Sequence, residues 1–326
     1  MNYYLITGAS GMIAGGFIQK TVSEHQYIGL ILLTRDREHT TFRYQKLLDA
    51  SHTPIKIITE LTELTAEEAS SITAVINLAG SPISSGGLVN TSKFKDIHDS
   101  RICFTEKLIS DLKEKNVRPE VFISASAMAI NSDHKTPFTE DEAENTAGNK
   151  VAELCQEWEK TALKAQDELG ARVVTMRLGN VVDVTGGMLL RILPFLQKGY
   201  IPSFGDGEQI IPWITLYDVT RVISHLIKHK NVSGPVHVCT SNHTGQMNMF
   251  KELAAITENT TFRILRLPVF LVKFSQKEAA YSLITSVPAL PSKLEKSGFR
   301  FRYNSISEYV KTVKQLMSSV NQAPKK

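Results

Sequence analysis

Short apolar runs alternate with polar, helix-like segments through the first half of the chain. The runs Tyr3–Thr7, Ile28–Thr34, Ile55–Thr59, Ala74–Ala79, Val121–Ser126 and Arg172–Leu178 are rich in Val, Ile and Leu. Several are nearly continuous, as suits strands buried on both faces of a parallel sheet. Between them the spacing predicts helices over 12–22, 92–115 and 145–169. The clearest part is 151–169, where Val151, Leu154, Cys155, Trp158, Ala162, Ala165 and Leu169 recur three or four residues apart and Gly170 follows as a stop. This alternation predicts an α/β fold, a Rossmann-like doubly wound parallel sheet.

Beyond residue 180 the pattern loosens. Gly186-Gly187 precedes an apolar segment, Met188–Leu196, that Pro194 breaks, and Gly199, Gly205 and Gly207 predict a long loop. A helix is expected over Tyr217–His229, a strand over Pro235–Cys239 and a closing helix over 305–318. The expected organisation is a cofactor domain over 1–180 and a smaller C-terminal α/β substrate region over 181–326, partly interleaved with the first.

Composition narrows the class. The 326 residues are 42% hydrophobic and 21% charged, which excludes a disordered chain and a disulfide scaffold. A net charge of +4 carries no basic stripe for nucleic acid, so no such partner is expected. Cys103, Cys155 and Cys239 lie far apart with no CxxC or Cys/His cluster, so no metal site is read and a reducing, cytoplasmic setting is expected. No basic leader opens the chain, and the apolar run Tyr27–Leu33 is too short to cross a bilayer, so no membrane partner is expected. Asp218 near a helix start reads as a partner of the helix dipole.

The first strand runs into Gly8-Ala9-Ser10-Gly11-Met12-Ile13-Ala14 and then a helix. Glycines at this spacing let the backbone turn tightly and approach a pyrophosphate, which the free N–H groups of the helix start then face. The second strand ends in Leu33-Thr34-Arg35-Asp36. NAD-binding folds place an acid there for the ribose 2′-hydroxyl; here Thr34 stands in that place and Arg35 follows. A guanidinium suits a 2′-phosphate, so the expected cofactor is NADP. Leu78-Ala79-Gly80 ends the fourth strand with small residues that admit a ligand against the backbone.

Together these residues resemble the extended short-chain dehydrogenase/reductases, and within them the sugar-epimerase-like "epimerase family" branch, some of whose members carry a cell-division-inhibitor-like label. The resemblance rests on Ile6-Thr7-Gly8 with Gly11, Val75 to Gly80, Asp99-Ser100-Arg101 and Ile123 to Ala127. It continues through Cys155-Gln156-Glu157-Trp158-Glu159, Arg177-Leu178-Gly179, Gly186-Gly187, Trp213-Ile214 with Asp218, and Pro291 to Leu294 with Gly298-Phe299. It spans nearly the whole chain. It implies NADP binding, with Gly8, Ser10, Gly11, Met12, Ile13, Arg35, Leu78, Ala79 and Gly80 at the family's cofactor positions.

The superfamily's enzymes use a Ser/Thr with Tyr-x-x-x-Lys, in which Tyr moves the proton and Lys lowers its pKa. None of the nine tyrosines has Lys four places on. The resemblance sets Cys155 at the Tyr place, Glu159 at the Lys place and Ser126 at the Ser place. A carboxylate there reverses the local field and would keep the Cys155 thiol protonated. Met128-Ala129-Ile130-Asn131 also stands where the branch often carries Tyr and Gly. Two functions follow as expectations. One is an NADP-dependent epimerase-, dehydratase- or reductase-like enzyme on a small carbonyl or hydroxyl substrate such as a nucleotide sugar, with Ser126, Cys155 and Glu159 as candidate catalytic groups. The other is a non-catalytic NADP-binding sensor or interaction protein connected with cell division. A monomer or homodimer is expected in either case.

Overall fold

A computed structural model describes residues 1–24, 27–81, 94–131, 133, 136–142, 150–276 and 284–322. Seven parallel strands form the main sheet: β1 (Asn2–Thr7), β2 (Ile28–Leu33), β3 (Ile55–Ile58), β4 (Ile72–Asn77), β5 (Val121–Ala127), β6 (Arg172–Leu178) and β10 (Gly234–Val238). Their order is β3-β2-β1-β4-β5-β6-β10, so the direction of winding reverses between β1 and β4. In open α/β sheets a ligand cleft opens at the carboxyl ends beside such a reversal.

The near-continuous apolar runs are explained by two cores, one on each face. Ile6, Leu30, Leu32, Ile76, Ile123 and Val174 pack on one face with Phe17 and Ile18 of α1 (Met12–Glu24) and Val222 and Ile223 of α8 (Leu216–Lys228). The alternate residues Leu5, Ile31, Val75, Phe122 and Val173 pack on the other with α5 (Ile102–Glu114) and α6 (Lys150–Leu169). Burial on both sides is why apolar residues dominate the strand centres.

Three differences from the sequence reading have physical causes. Residues 94–114 are not one helix: α4 (Phe94–Asp99) and α5 are separated at Ser100-Arg101, where Arg101 turns inward. The part of the expected helix at 92–93 lies outside the described residues, as does 145–149 ahead of α6. Pro194 does not break the apolar segment, because it is accommodated inside α7 (Gly187–Gln197). Finally, α2 (Arg37–Ala50) was not expected; it buries only Thr40 and Tyr44, so its sequence shows almost no apolar stripe.

The loop region also holds short strands: β7 (Asn180–Asp183) pairs with β9 (Trp213–Thr215), and β8 (Tyr200–Phe204) with β11 (Arg263–Leu267). α9 (Gln246–Ala254) and the C-terminal helix Ile306–Gln322 close a third apolar core around Trp213. β10 and α8, although late in the chain, belong to the main sheet and its cover. Among the described residues no helix is long and apolar enough to cross a membrane.

Candidate cofactor cleft and the place of the proton relay

The turn after β1 is built around Gly8. Its φ is +68°, and a Cβ there would lie 2.6 Å from the Leu78 carbonyl oxygen. Only glycine lets β1 and the end of β4 approach this closely. Thr7 locks the approach: its hydroxyl donates to Asn77 Oδ1 at 2.8 Å and accepts the N–H groups of Leu78 and Ala79, each at 3.1 Å. Asn77 in turn donates to Thr105 at 2.9 Å. The Tyr44 hydroxyl, from α2, donates to the Ala9 carbonyl at 2.5 Å. The helix that follows has no acidic residue in its first turn, so its positive end meets no side-chain anion of its own.

A cleft of about 710 Å³ opens here, along the carboxyl ends of β1 to β4. Of the expected cofactor residues, Gly8, Ser10, Gly11, Arg35, Leu78, Ala79 and Gly80 line it. Met12 and Ile13 do not: Met12 packs against Gly186 and Gly187, and Ile13 against the core. Thr59, Glu60 and Leu61, just past β3, form a wall that the sequence reading missed. Their signal was available, since they follow the third parallel strand as Arg35 follows the second.

Charges around Arg35 are sorted by use. Asp36 accepts the His39 N–H at 2.9 Å as the N-cap of α2. Arg37 is paired with Glu63, and Lys107 with Asp111. Arg35 is exposed on the cleft wall and forms no ion pair with a described carboxylate. Cleft volume, glycine cradle, free helix N-terminus and uncommitted guanidinium all fit a dinucleotide.

One strand beyond β4, register brings the next polar groups together. Ser126 of β5 lies opposite Arg177 of β6, which lies opposite His237 of β10, all on the face covered by α6. Glu159 reaches up from α6 between them. It accepts the Ser126 hydroxyl at 2.6 Å and is held by two Arg177 bonds, Nε at 2.9 Å and Nη2 at 2.8 Å. All three side chains are buried. Glu159 therefore faces a guanidinium, where the sequence reading considered only its effect on a thiol.

Cys155 packs with Ile130 and Val151. Burial first, and the Glu159 charge second, push its thiol up to about 12. At neutral pH it is a packed thiol, without the thiolate that proton transfer or nucleophilic attack needs. Nearby, Arg101 lies over the Trp158 ring, 5.1 Å from its centre, and donates to the Ser81 carbonyl at 3.0 Å. Trp213 is buried in the third core rather than on a cleft wall.

Comparison with known proteins agrees with this architecture. The family model described as the NAD dependent epimerase/dehydratase family matches residues 4–239. An epimerase family protein of Mycobacterium bovis is 30% identical over 304 residues, covering 93% of this chain and 94% of its own length. The chloroplastic SDR39U1 homolog of Arabidopsis thaliana is 28% identical over 312 residues, covering 95% and 86%. Among solved structures, human epimerase family protein SDR39U1 with NADPH superposes with a TM-score of 0.77 at 18% identity, covering 96% of this chain and 99% of that one.

Proposed function

The chain belongs to the NAD dependent epimerase/dehydratase family, and from that premise we propose that it binds NADP(H) in preference to NAD(H) and presents Ser126 to a small hydroxyl- or carbonyl-bearing molecule. One observation carries the cofactor preference. At the end of β2 Asp36 caps α2, whereas Arg35 stands on the cleft wall and, among the described residues, forms no ion pair. A 2′-phosphate would engage Arg35 through charge-assisted bonds, whereas Thr34 stands where NAD-binding folds set an acid for the 2′-hydroxyl. The human relative crystallised with NADPH supports the same choice.

When bound, the nicotinamide would supply or accept a hydride. The protein's own contribution is a polar group without the Tyr-x-x-x-Lys relay. Because the Ser126 hydroxyl donates to Glu159, its oxygen is left to accept. A ligand hydroxyl or amide N–H suits it better than a bare carbonyl. Glu159, gripped by Arg177, fixes that orientation. A second reading, a cofactor-binding protein without turnover, has a specific observation behind it. The protonated Cys155 and the fully engaged Glu159 leave no obvious proton donor at the Tyr–Lys place.

Fluorescence titration with NADPH and NADH tests the preference. Arg35→Ala should weaken NADPH binding roughly tenfold or more and leave NADH nearly unchanged. Tighter binding of NADH to the wild-type protein would refute it. NADPH oxidation against a panel of aldehydes and ketones, and NADP reduction by the alcohols, separates the two readings. Turnover lost in Ser126→Ala supports an enzyme, and tight binding without turnover supports the second reading.

A further inference from the structure

No metal signature is legible in the sequence, because its cysteines and histidines are scattered. The break between α4 and α5 brings three ligand types together that sequence spacing does not flag. His98 and Asp99 close α4, and Cys103 follows in the first turn of α5. Asp99 Oδ1 lies 3.4 Å from His98 Nδ1 and 3.6 Å from Cys103 Sγ. One ligand atom from each of the three residues lies within 4.8 Å of the others.

We propose that His98, Asp99 and Cys103 form a binding site for a zinc-class divalent cation, with Glu157 of α6 orienting the imidazole. Ordinary zinc bond lengths in a tetrahedron put nitrogen and oxygen ligands about 3.3 Å apart, and sulfur and oxygen ligands about 3.5 Å apart. The two observed separations match those edges. The second imidazole nitrogen, Nε2, lies 3.1 Å from Glu157 Oε2 on a different helix. This is the outer carboxylate that metal-ligating histidines characteristically use to fix tautomer and ring direction. It leaves Nδ1 free to bind on the side where Asp99 and Cys103 stand.

The donor set decides the class of ion. A thiolate, an imidazole and one carboxylate favour zinc or cobalt over magnesium or calcium, which require oxygen cages. Three protein ligands leave the fourth position to water. Asp99 keeps its other oxygen, Oδ2, on Lys95, so ligation through Oδ1 does not need that pair to break. On binding, the Cys103 S–H bond breaks, the sulfur bonds the cation and one proton passes to solvent, with no redox change. Because that proton is released on binding, affinity should strengthen as pH rises. The site also adjoins the cofactor cleft, because Ser100, between Asp99 and Cys103, accepts the Ser81 N–H at 3.0 Å on the cleft rim.

The test is a cobalt titration of the reduced full-length protein, followed by absorption and then by zinc competition. The proposal expects one cobalt per chain, tetrahedral visible bands, and a near-ultraviolet thiolate-to-cobalt band that zinc abolishes. Cys103→Ser should remove the thiolate band, and His98→Ala should weaken binding. Glu157→Gln should weaken it roughly 10- to 100-fold while keeping the band. Each variant sits at the surface, and its melting curve without metal verifies folding. Absence of saturable binding, a thiolate band that survives Cys103→Ser, or binding without any thiolate band would overturn the proposal.

Discussion

At the residue scale, single contacts rather than conspicuous motifs decide the chemistry of the site. Glu159 shows this best. Placed by helical spacing alone, it is a charge beside Cys155; in the structure it is the centre of a buried Ser126–Glu159–Arg177 unit. Taking two charges into a core is costly, and their pairing offsets that cost only while both are present. Arg177→Leu should therefore destabilise the protein by about 3–5 kcal/mol, whereas Arg177→Leu with Glu159→Leu should recover much of the loss. Urea unfolding of the two single variants and the double variant measures the coupling. Equal and additive losses would show that the pair is not energetically linked. Gly8 was legible at this scale, because strand, glycine turn and helix are adjacent in sequence. Arg177 was not legible as a partner, because its role depends on register between β5 and β6.

At the element scale, the sheet strands were easy to read and the polar helices were not. Strands buried on both faces leave long Val/Ile/Leu runs, which survive any uncertainty about neighbours. α2 leaves little trace, since most of its surface meets water. The expected helix from residue 92 divides because Arg101 folds inward over Trp158 to hold Ser81. Asp218 shows how an element end acquires a second task. It begins α8, as a dipole partner should, but its carboxylate also accepts the backbone N–H groups of Arg302 and Tyr303, at 2.9 and 3.1 Å, and a bond from Arg221 at 2.6 Å. It thereby latches the C-terminal segment to the sheet's cover. Asp218→Ala should cost on the order of 3 kcal/mol and expose the Arg302 and Tyr303 amides to hydrogen exchange. Unchanged protection of those two amides would show that the latch is held elsewhere.

At the scale of the whole molecule, folding joins early and late parts of the chain and sets the response to acid. Glu140 accepts the His237 N–H on the edge strand β10 at 3.0 Å, and the Lys293 N–H near the start of the short helix Ser292–Lys296 at 3.3 Å. Burial pulls both His237 and His225 down to about 4. An unfolded histidine takes up its proton near pH 6.5, so between about 6.5 and 4 the unfolded state binds more protons. Their stabilisation is thus present above about pH 6.5 and is lost as pH falls toward 4. His237, the more deeply buried of the two, contributes at most about 1.4 kcal/mol per pH unit, and the half-buried His225 less because solvent screens it. Glu140 opposes this: burial raises its pKa, so its own contribution is largest in acid and is lost as pH rises. Two histidines against one carboxyl predict a net fall in unfolding free energy on acidification through this window. Urea unfolding across that range would contradict the prediction if stability rose toward acid. His237→Gln should flatten the slope.

What the sequence determined by itself is local or nearly so: the parallel strands, the glycine turn, Arg35 at a strand end and the absence of any Tyr-x-x-x-Lys pair. Each follows from neighbours within a few residues or from counting, so no distant contact is needed to read it. Tertiary structure alone decided which carboxylates are already spoken for. It committed Glu159 to Arg177 and Asp218 to the C-terminal segment, and among the described residues left Arg35 without an ion-pair partner. The physical reason is that a charge acts over a few ångströms of space, and strand register and helix packing, rather than separation along the chain, determine which charges come that close.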